Sequence, residues 1–448
     1  MHGFIEFFRP HVLPLIYALV IVAVLPLLAG YIVLVERKVM ADMQARLGPM
    51  RVGPHGLLQP IADALKLLIK EDIIPEMADQ WIFWIAPLIS VTAAMLSMAA
   101  LAFGPAFQVA RDINVGILFV VGVSALGIFG IVLGGWASNS HYSLLGALRS
   151  AAQLVSYETA AGMALVSGLL LARTLSIRGI VEMQHAQGVW FVFLTPIAFF
   201  IYLVASIAET NRAPFDLPEA ESELVAGYMT EFSGFRWSLY FLAEYANMVV
   251  VASVATTLFL GGWLRPFPNV AWLWPLDHVP ALLMLLIAGY CFIRIPKQPV
   301  RIQQQFIAVV GLLCLLVAAV LAAPLFVGPA RPFMAAIHGG FWFMAKVFFY
   351  IYIFMWLRFT LPRYRFDQLM KLGWHFLIPV SVVNVMGLGL ALALHWEKQW
   401  GLAPALSLTT AATLAVALWL LWAQRERDRS DMEAQEERRS QGSTVHAR

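Results

Sequence analysis

Long apolar runs separated by short polar segments dominate this chain of 448 residues. Because a helix needs about 20 apolar residues to cross the hydrocarbon core of a bilayer, eleven runs are predicted to span a membrane. These runs are residues 11–34, 81–103, 114–135, 150–171, 188–209, 238–260, 279–294, 306–327, 339–360, 374–395 and 403–423. The run at 279–294 is the weakest, since it is short enough to be re-entrant or interfacial. The pattern predicts an all-α integral membrane protein, a polytopic bundle of about 11 transmembrane helices.

Composition and charge placement refine this prediction. Apolar residues make up 60% of the chain and charged residues 13%, which excludes a large soluble enzyme. If the N-terminus lies outside, 22 of the 30 Lys and Arg residues fall on cytoplasmic loops and the C-terminal tail, 7 fall on the other side and Lys346 lies within a span. The positive-inside rule then predicts an outside N-terminus and a cytoplasmic C-terminus, as an odd number of spans requires.

Cofactor chemistry is not evident in the residues of this chain. Its two cysteines, Cys291 and Cys314, both lie in apolar runs and form neither a disulfide framework nor a four-thiolate iron–sulfur motif. The nucleotide-binding patterns GxGxxG and GxxxxGK[ST] and the zinc pattern HExxH do not occur. We therefore expect no cofactor, redox centre or metal bound by this chain, and any electrons must come from another chain.

The first long cytoplasmic loop, residues 36–80, has two parts. Gly and Pro residues interrupt its first half, which predicts an ordered but irregular stretch carrying cations. Its second half is predicted to be an amphipathic surface helix with Gln59, Asp63, Lys66 and Lys70 along one narrow stripe. A simple surface anchor is one interpretation. The single aligned stripe favours the other, the wall of a polar passage.

The second long loop, residues 210–237, is acidic. It contains Asp216, Glu219, Glu221, Glu223 and Glu231, follows Glu209 and has Arg212 as its nearest cation. Acidic residues in a first helical turn could merely complement the helix dipole. Their density beside the membrane instead indicates carboxylates that raise one another's pKa, as a proton relay requires.

Three charged side chains lie within predicted spans: Glu158, Glu244 and Lys346. Intramembrane charges are costly and are functional candidates by default. A buried Glu244–Lys346 ion pair that holds helices together is the structural alternative. Since Glu158, Glu209, Glu244 and the loop carboxylates all lie toward one side, we predict a half-channel of titratable groups that opens to the cytoplasm.

Four stretches resemble the H subunit of bacterial respiratory complex I, the proton-translocating NADH:quinone oxidoreductase, and its mitochondrial counterpart. They are ERKVMADMQARLGPMRVGPHGLLQPIADALKLLIKEDIIP, QLVSYETAAGMAL, AETNRAPFDLPEAESELVAGYMTEFSG with the following LAEYANM, and LRFTLPRYRFDQLMKLGW. The resemblance implies a multi-pass subunit of the bacterial inner membrane with a core of eight spans. Quinone would be its substrate, and flavin and iron–sulfur clusters would lie on partner subunits.

The resemblance also implies roles for individual residues. The acidic proton-coupling path of the family falls on Glu158, Glu209, Arg212, Glu219, Glu221, Glu223 and Glu244. Its quinone passage falls on Arg37, Arg46, Asp63 and the amphipathic helix, including Lys66. The implied partners are the peripheral-arm subunits of the quinone site, the antiporter-like subunits of the membrane arm, and membrane lipid.

The family pattern divides the chain. Residues 1–265 and 338–395 match the family core, whereas 266–337 form an inserted two-span hairpin, 396–423 an extra span and 424–448 a charged, flexible cytoplasmic tail. We expect the extra spans at the periphery. The alternatives are the equivalent subunit of a membrane-bound hydrogenase or other-donor dehydrogenase and, from a different class, a secondary transporter. A transporter usually shows inverted repeats, which are not evident here.

The charge asymmetry generates a prediction about topology. Single cysteines introduced into the 36–80 loop, the 210–237 loop and the tail after Gln424 should be labelled only from the cytoplasmic side. The measurement is reaction with a membrane-impermeant maleimide in vesicles of both orientations, after Cys291 and Cys314 have been replaced. Labelling of the tail from the outside would rule out the eleven-span arrangement.

Overall fold

The computed structural model describes residues 2–104, 113–216, 226–297, 301–327, 332–394 and 401–445. Within these ranges the regular secondary structure is helical, and no β-strand occurs. The α-helices are α1 (His2–Met43), α2 (Gln59–Ile69), α3 (Gln80–Ala100), α4 (Gly116–Ala137), α5 (His141–Ala172), α6 (Ile177–Gln187), α7 (Phe191–Leu194), α8 (Pro196–Glu209), α9 (Gly234–Leu258), α10 (Val279–Arg294), α11 (Arg301–Val327), α12 (Pro332–Thr360), α13 (Phe366–Lys371), α14 (Ile378–Ala393) and α15 (Leu402–Val445). A π-helical turn, Leu372–Leu377, joins α13 to α14.

All eleven predicted runs fall on helices. Nine of the helical segments in the described residues are long and apolar enough to cross a membrane. The other two, α8 and α10, are apolar but have only 14 and 16 residues. The prediction of an all-α, multi-pass membrane protein is confirmed.

The predicted span 188–209 is broken into two helices. Helix α7 ends at Leu194 and α8 begins at Pro196, with Thr195 between them in a non-helical conformation. Proline has no amide hydrogen to continue the preceding helix and suits the first turn of a new one. Hydropathy cannot detect such a break, because every residue around it is apolar.

Helix α1 is longer than the apolar pattern predicted. It continues through the charged residues Glu36, Arg37 and Lys38 to Met43, so the first part of the predicted irregular stretch is helical. No Gly or Pro occurs between Glu36 and Gly48, which explains the extension. Helix α15 likewise continues past its apolar segment, Pro404–Glu426, to Val445.

The core of the bundle lies around α5, α8 and α9. Helix α5 packs against α4, α8 and α14, and α9 packs against α1, α3 and α12. In the apolar window of α9, 78% of residues are buried, against 17% in that of α11. Helices α10 and α11 pack mainly along each other and also touch α12 and the turn Pro54–Gly56, so they form a hairpin at the edge of the described bundle.

Glycine permits a close helix contact between α3 and α4. A Cβ atom added to Gly130 would overlap the side chain of Ser90 and lie 2.8 Å from the carbonyl oxygen of Ala86. The carbonyl oxygen of Gly130 accepts a hydrogen bond of 2.9 Å from the hydroxyl of Tyr240 on α9. Small residues commonly allow membrane helices to approach in this way.

Substitution of this glycine should destabilise the protein. Gly130→Ala should cost about 1–3 kcal/mol, because the helices must separate to accommodate the methyl group. The measurement is the midpoint of thermal aggregation in mild detergent. Gly122→Ala, on the same helix but with open space around the added Cβ, is the matched control. Equal losses in both variants would contradict the role of the close approach.

Candidate functional site

Three of the predicted glutamates line a single cavity within the bundle. Glu158 lies on α5, Glu209 is the last residue of α8 and Glu244 lies on α9. The other polar residues of the lining are Ser90, Ser124, Thr210, Asn211, Tyr228, Tyr240 and Asn247. The volume that water centres could occupy is about 40 Å³. A polar cavity holds a water molecule from roughly 10–15 Å³, so this cavity has room for water among its carboxylates.

A second cavity adjoins the first. Glu158, Glu209, Ser124 and Asn247 line both, and the second offers about 30 Å³ to water centres. Most of its remaining lining is aliphatic, including Val120, Leu165, Val250 and Val254. Glu158 and Glu209 therefore lie where a polar cavity passes into a more apolar one.

Buried hydrogen bonds fix the positions of the side chains and helix ends around these carboxylates. The hydroxyl of Tyr228 donates to Glu244 Oε1 at 3.1 Å. The buried amide of Gln153 donates to the carbonyl oxygens of Ala208 at 2.9 Å and Phe215 at 2.8 Å. Because Ala208 precedes Glu209, Gln153 fixes the end of α8 against α5.

A buried ionic cluster around Glu36 is the main feature that sequence reasoning missed. Glu36 is only 4% exposed, and its carboxylate accepts hydrogen bonds from Tyr245 at 2.7 Å and from Arg212 at 3.4 Å. Arg358, near the end of α12, also donates to it. The guanidinium of Arg212 lies 4.1 Å from the ring centre of Tyr245. Arg212, which was predicted to belong to the acidic path, is thus a partner of Glu36.

This cluster, Glu36, Arg212, Tyr245 and Arg358, adjoins the cavity through the chain itself. Tyr245 follows the cavity residue Glu244, and Arg212 follows the cavity residue Asn211. The available sequence signal was a carboxylate at the C-terminal end of a long apolar run. By itself, that position suggests only the beginning of a loop.

The described part of the acidic loop adds one more ion pair. Asp216 accepts a hydrogen bond of 2.9 Å from Arg363, which lies between α12 and α13. The pair ties the acidic loop to the end of α12. Glu219, Glu221 and Glu223 lie outside the described residues, so their predicted place in the path stays a prediction.

The predicted quinone residues only partly come together. Arg37 donates to Asp63 at 2.7 Å, and Gln59 donates to the same carboxylate at 2.9 Å. Arg46 instead donates to Gln44 at 2.7 Å, and Lys66 is exposed. The amphipathic helix is α2, shorter than the predicted half-loop. Its leucine and isoleucine residues are largely exposed, as are those at its two ends, among them Leu58, Ile61, Leu65, Leu68 and Ile69.

His55 is the one histidine of this loop. Its carbonyl oxygen accepts a hydrogen bond of 2.7 Å from Lys38 Nζ. Burial, and then the positive charge of Lys38, lower the pKa of His55 below its usual value. The lowered pKa favours the neutral imidazole, which can both donate and accept a hydrogen bond.

The alternative ion pair between Glu244 and Lys346 does not form. The ammonium of Lys346 donates to three carbonyl oxygens, those of Leu260 at 2.6 Å, Gly262 at 2.8 Å and Leu264 at 2.5 Å. These residues follow α9, whose last residue, Leu258, lies about 21 Å along the helix from Glu244. Lys346 holds the loop after α9, and Glu244 faces the cavity.

Metal-ligating groups do not cluster in the part of the chain that the structure describes. No three His, Cys, Asp or Glu residues there are placed to hold a metal ion. The chemistry available to the described site is that of carboxylates, tyrosines and cations around space for water.

Comparison with known proteins identifies the family. A family model described as NADH dehydrogenase matches residues 16–389. The chain is 56% identical to H subunit 2 of the NADH-quinone oxidoreductase of Solibacter usitatus, over 84% of this chain and 96% of the relative. It is 51% identical to H subunit 1 of the NADH-quinone oxidoreductase of Koribacter versatilis, over 82% and 88%. It is also 41% identical to the H subunit of the NADH-quinone oxidoreductase of Rickettsia felis, over 85% and 95%.

The matches extend through most of both chains, and the range matched by the family model includes all four motifs noted in the sequence. The resemblance on which the sequence analysis relied is therefore confirmed, and the chain belongs to the H subunits of NADH-quinone oxidoreductases, membrane subunits of respiratory complex I.

Proposed function

We propose that this subunit couples quinone reduction to proton translocation through the cavity of Glu158, Glu209 and Glu244. The observation that supports this most directly is the convergence of three carboxylates, from three helices, on one polar cavity with room for water. Ionisable side chains within membrane spans are energetically costly and are therefore functional candidates by default. A proton entering this cavity can pass between carboxylates through water and the hydroxyl of Tyr228.

The quinone passage is proposed to run along α1 and α2. Asp63 and Arg37 supply a polar pair on the side of α2 that faces α1, while the exposed leucines of α2 offer an apolar lining for an isoprenoid tail. Arg46 and Lys66 would lie along the outer part of the route. The headgroup would be reduced by electrons from a partner subunit.

The Glu36 cluster is proposed to connect the quinone passage to the cavity of Glu158, Glu209 and Glu244. Glu36 neighbours Arg37 of the quinone pair on α1, and Tyr245 neighbours Glu244 of the cavity on α9. A negative charge that develops on quinone would attract Arg37 and alter the field at Glu36. Because Arg212 and Arg358 both bind Glu36, the change would reach the acidic loop and α12.

The partners follow from this assignment. The exposed cations Arg46 and Arg51 offer a docking surface for an acidic face of a peripheral-arm subunit. That partner would complete the quinone site, with flavin and iron–sulfur clusters further along the partner chains, and antiporter-like subunits would receive the energy in the membrane. The N-terminus would lie outside and the C-terminus in the cytoplasm. The hairpin 266–337 and the last span would remain peripheral to catalysis.

The acidic path is tested by Glu158→Gln, Glu209→Gln and Glu244→Gln. Glutamine keeps the shape and hydrogen bonding but cannot titrate, so quinone-dependent turnover and proton pumping should each fall by at least about tenfold. Assembly, measured on native gels, should be unchanged. This includes Glu244→Gln, because Lys346 is held by carbonyl oxygens.

The matched control is Glu182→Gln. Glu182 is an exposed carboxylate that pairs with Arg178 on α6, outside the lining of the cavity, and its substitution should leave turnover and pumping unchanged. If the cavity variants pumped normally while fully assembled, the proposed path would be wrong.

The quinone passage is tested by Asp63→Asn. Removing the charge leaves Arg37 without its anionic partner, so quinone reduction should weaken and sensitivity to chamber-blocking inhibitors should shift. NADH oxidation by an artificial hydrophilic acceptor should stay intact, because it bypasses the quinone site. Glu76→Gln, an exposed carboxylate of the same loop, is the control. Loss of both activities in Asp63→Asn would place the damage in assembly or upstream electron transfer and remove Asp63 from the passage.

A further inference from the structure

The end of α2 is held by the beginning of α9. After α2 ends at Ile69, the amide of Ile73 donates to Ser233 Oγ at 2.9 Å, and Ser233 Oγ donates to the carbonyl oxygen of Glu71 at 3.3 Å. Ser233 immediately precedes α9. The segment that leaves the amphipathic helix is therefore bonded to a single side chain at the start of α9, 160 residues away in sequence.

Gly234 makes this approach possible. Its φ of +54° is a conformation that favours glycine. A Cβ atom at this position would lie 3.0 Å from the carbonyl oxygen of Lys70 and 3.4 Å from that of Glu71. The carbonyl groups at the end of α2, which have no partner within their own helix, thus lie against the first residues of α9.

Arg236 adds an ion pair to this contact between the end of α2 and the beginning of α9, which we call the junction. Its side chain is only 2% exposed, and Nη2 lies 2.6 Å from Asp72 Oδ2. Its guanidinium also lies 4.1 Å from the ring centre of Trp84 and 5.1 Å from that of Phe83, both on α3. A planar guanidinium can bind a carboxylate and stack on aromatic rings at once, which lysine cannot do equally.

We infer that Arg236, with Ser233, Gly234 and Asp72, positions the amphipathic helix for quinone. This junction holds the C-terminal end of α2, while the Arg37–Asp63 pair holds its N-terminal half on α1. The inference rests on the proposed function of α2 as a wall of the quinone passage. Arg236 is a positioning residue, since Asp72 and the aromatic rings of α3 are its contacts.

Through the junction, helix α9 contacts both the proposed quinone passage and the cavity of the glutamates. Arg236 lies eight residues before Glu244, about 12 Å along α9. The orientation of α2 and the position of the cavity carboxylate are therefore set by the same rigid element. Displacement of the end of α2 should therefore weaken quinone binding more than it slows proton transfer in the cavity.

Three variants test the inference in the assembled complex. Asp72→Asn removes the charge partner, Arg236→Lys keeps the charge but loses the planar contacts, and Gly234→Ala forces the carbonyl groups of α2 away by steric contact. Each should raise the KM for a short-chain quinone by about three- to tenfold while kcat changes less than about twofold, since misplacing a binding wall by a fraction of an ångström weakens binding chiefly. Oxidation of NADH by a hydrophilic acceptor should not change.

A structural readout separates this inference from the proposed function. Amide hydrogen exchange in residues 66–75 should be faster in all three variants, because the bond from the Ile73 amide to Ser233 is weakened when the junction loosens. The controls are Glu76→Gln, in the same loop, and Gly401→Ala, which strains a glycine at φ of +88° where the added Cβ would meet Pro404 at an ordinary contact distance of 3.7 Å. Neither should alter exchange in this segment or the KM for quinone.

Two outcomes would overturn the inference, each for a different reason. Unchanged exchange in residues 66–75 would show that the junction does not hold the end of α2. Faster exchange with an unchanged KM and unchanged inhibitor sensitivity would show that α2 moves without affecting quinone, and the passage along α2 would then be wrong as well. If the complex with Gly234→Ala failed to assemble, the Asp72→Asn variant would provide the test. Asp72 is partly exposed and its substitution adds no heavy atoms, so this variant should still assemble.

Discussion

Burial of one carboxylate, that of Glu36, among oppositely charged and hydrogen-bonding partners organises the packing of four segments of this protein. A charge removed from water is tolerated only when partners surround it. Here the partners come from three other parts of the chain: Arg212 after α8, Tyr245 on α9 and Arg358 on α12. The relative placement of these segments therefore depends on one anion. Removing Glu36 would leave two cations close together in a poorly hydrated site, which is far more damaging than the loss of a surface ion pair.

Helix α9 connects the Glu36 cluster to the other parts of the site. Its first residues hold the end of α2, its middle contributes Glu244 and Tyr245, and the loop after it is fixed by Lys346 through three carbonyl oxygens. Among the long apolar helices of the described residues, it is also the most buried. A helix restrained along its whole length can transmit displacement between its two ends. Such a helix is the physical basis for the proposed coupling between the quinone passage and the cavity.

Hydropathy and motifs predicted the helices and the residue types of the site, but not its pairings. The eleven apolar runs were enough to place the long apolar helices. The position of Glu158 and Glu244 within predicted spans, and of Glu209 beside the acidic loop, pointed to these three carboxylates. The arginine partners of Glu36 and Asp216 lie 147 to 322 residues away in sequence, and local patterns contain no information about such contacts. The break before Pro196 was invisible because it lies among apolar residues. The alternative pair of Glu244 with Lys346 does not form, because the ammonium binds backbone carbonyl groups instead.

The unbroken helix at the C-terminus has a practical consequence. Helix α15 passes through its apolar segment and continues beyond Glu426 to Val445, a rise of about 28 Å. This helical part acts as a semi-rigid spacer, comparable in length to the thickness of the hydrocarbon core itself. A fluorophore or affinity tag joined to the chain end would be carried well away from the lipid headgroups. Capture of such a tag on a resin would accordingly meet little steric hindrance from the detergent micelle.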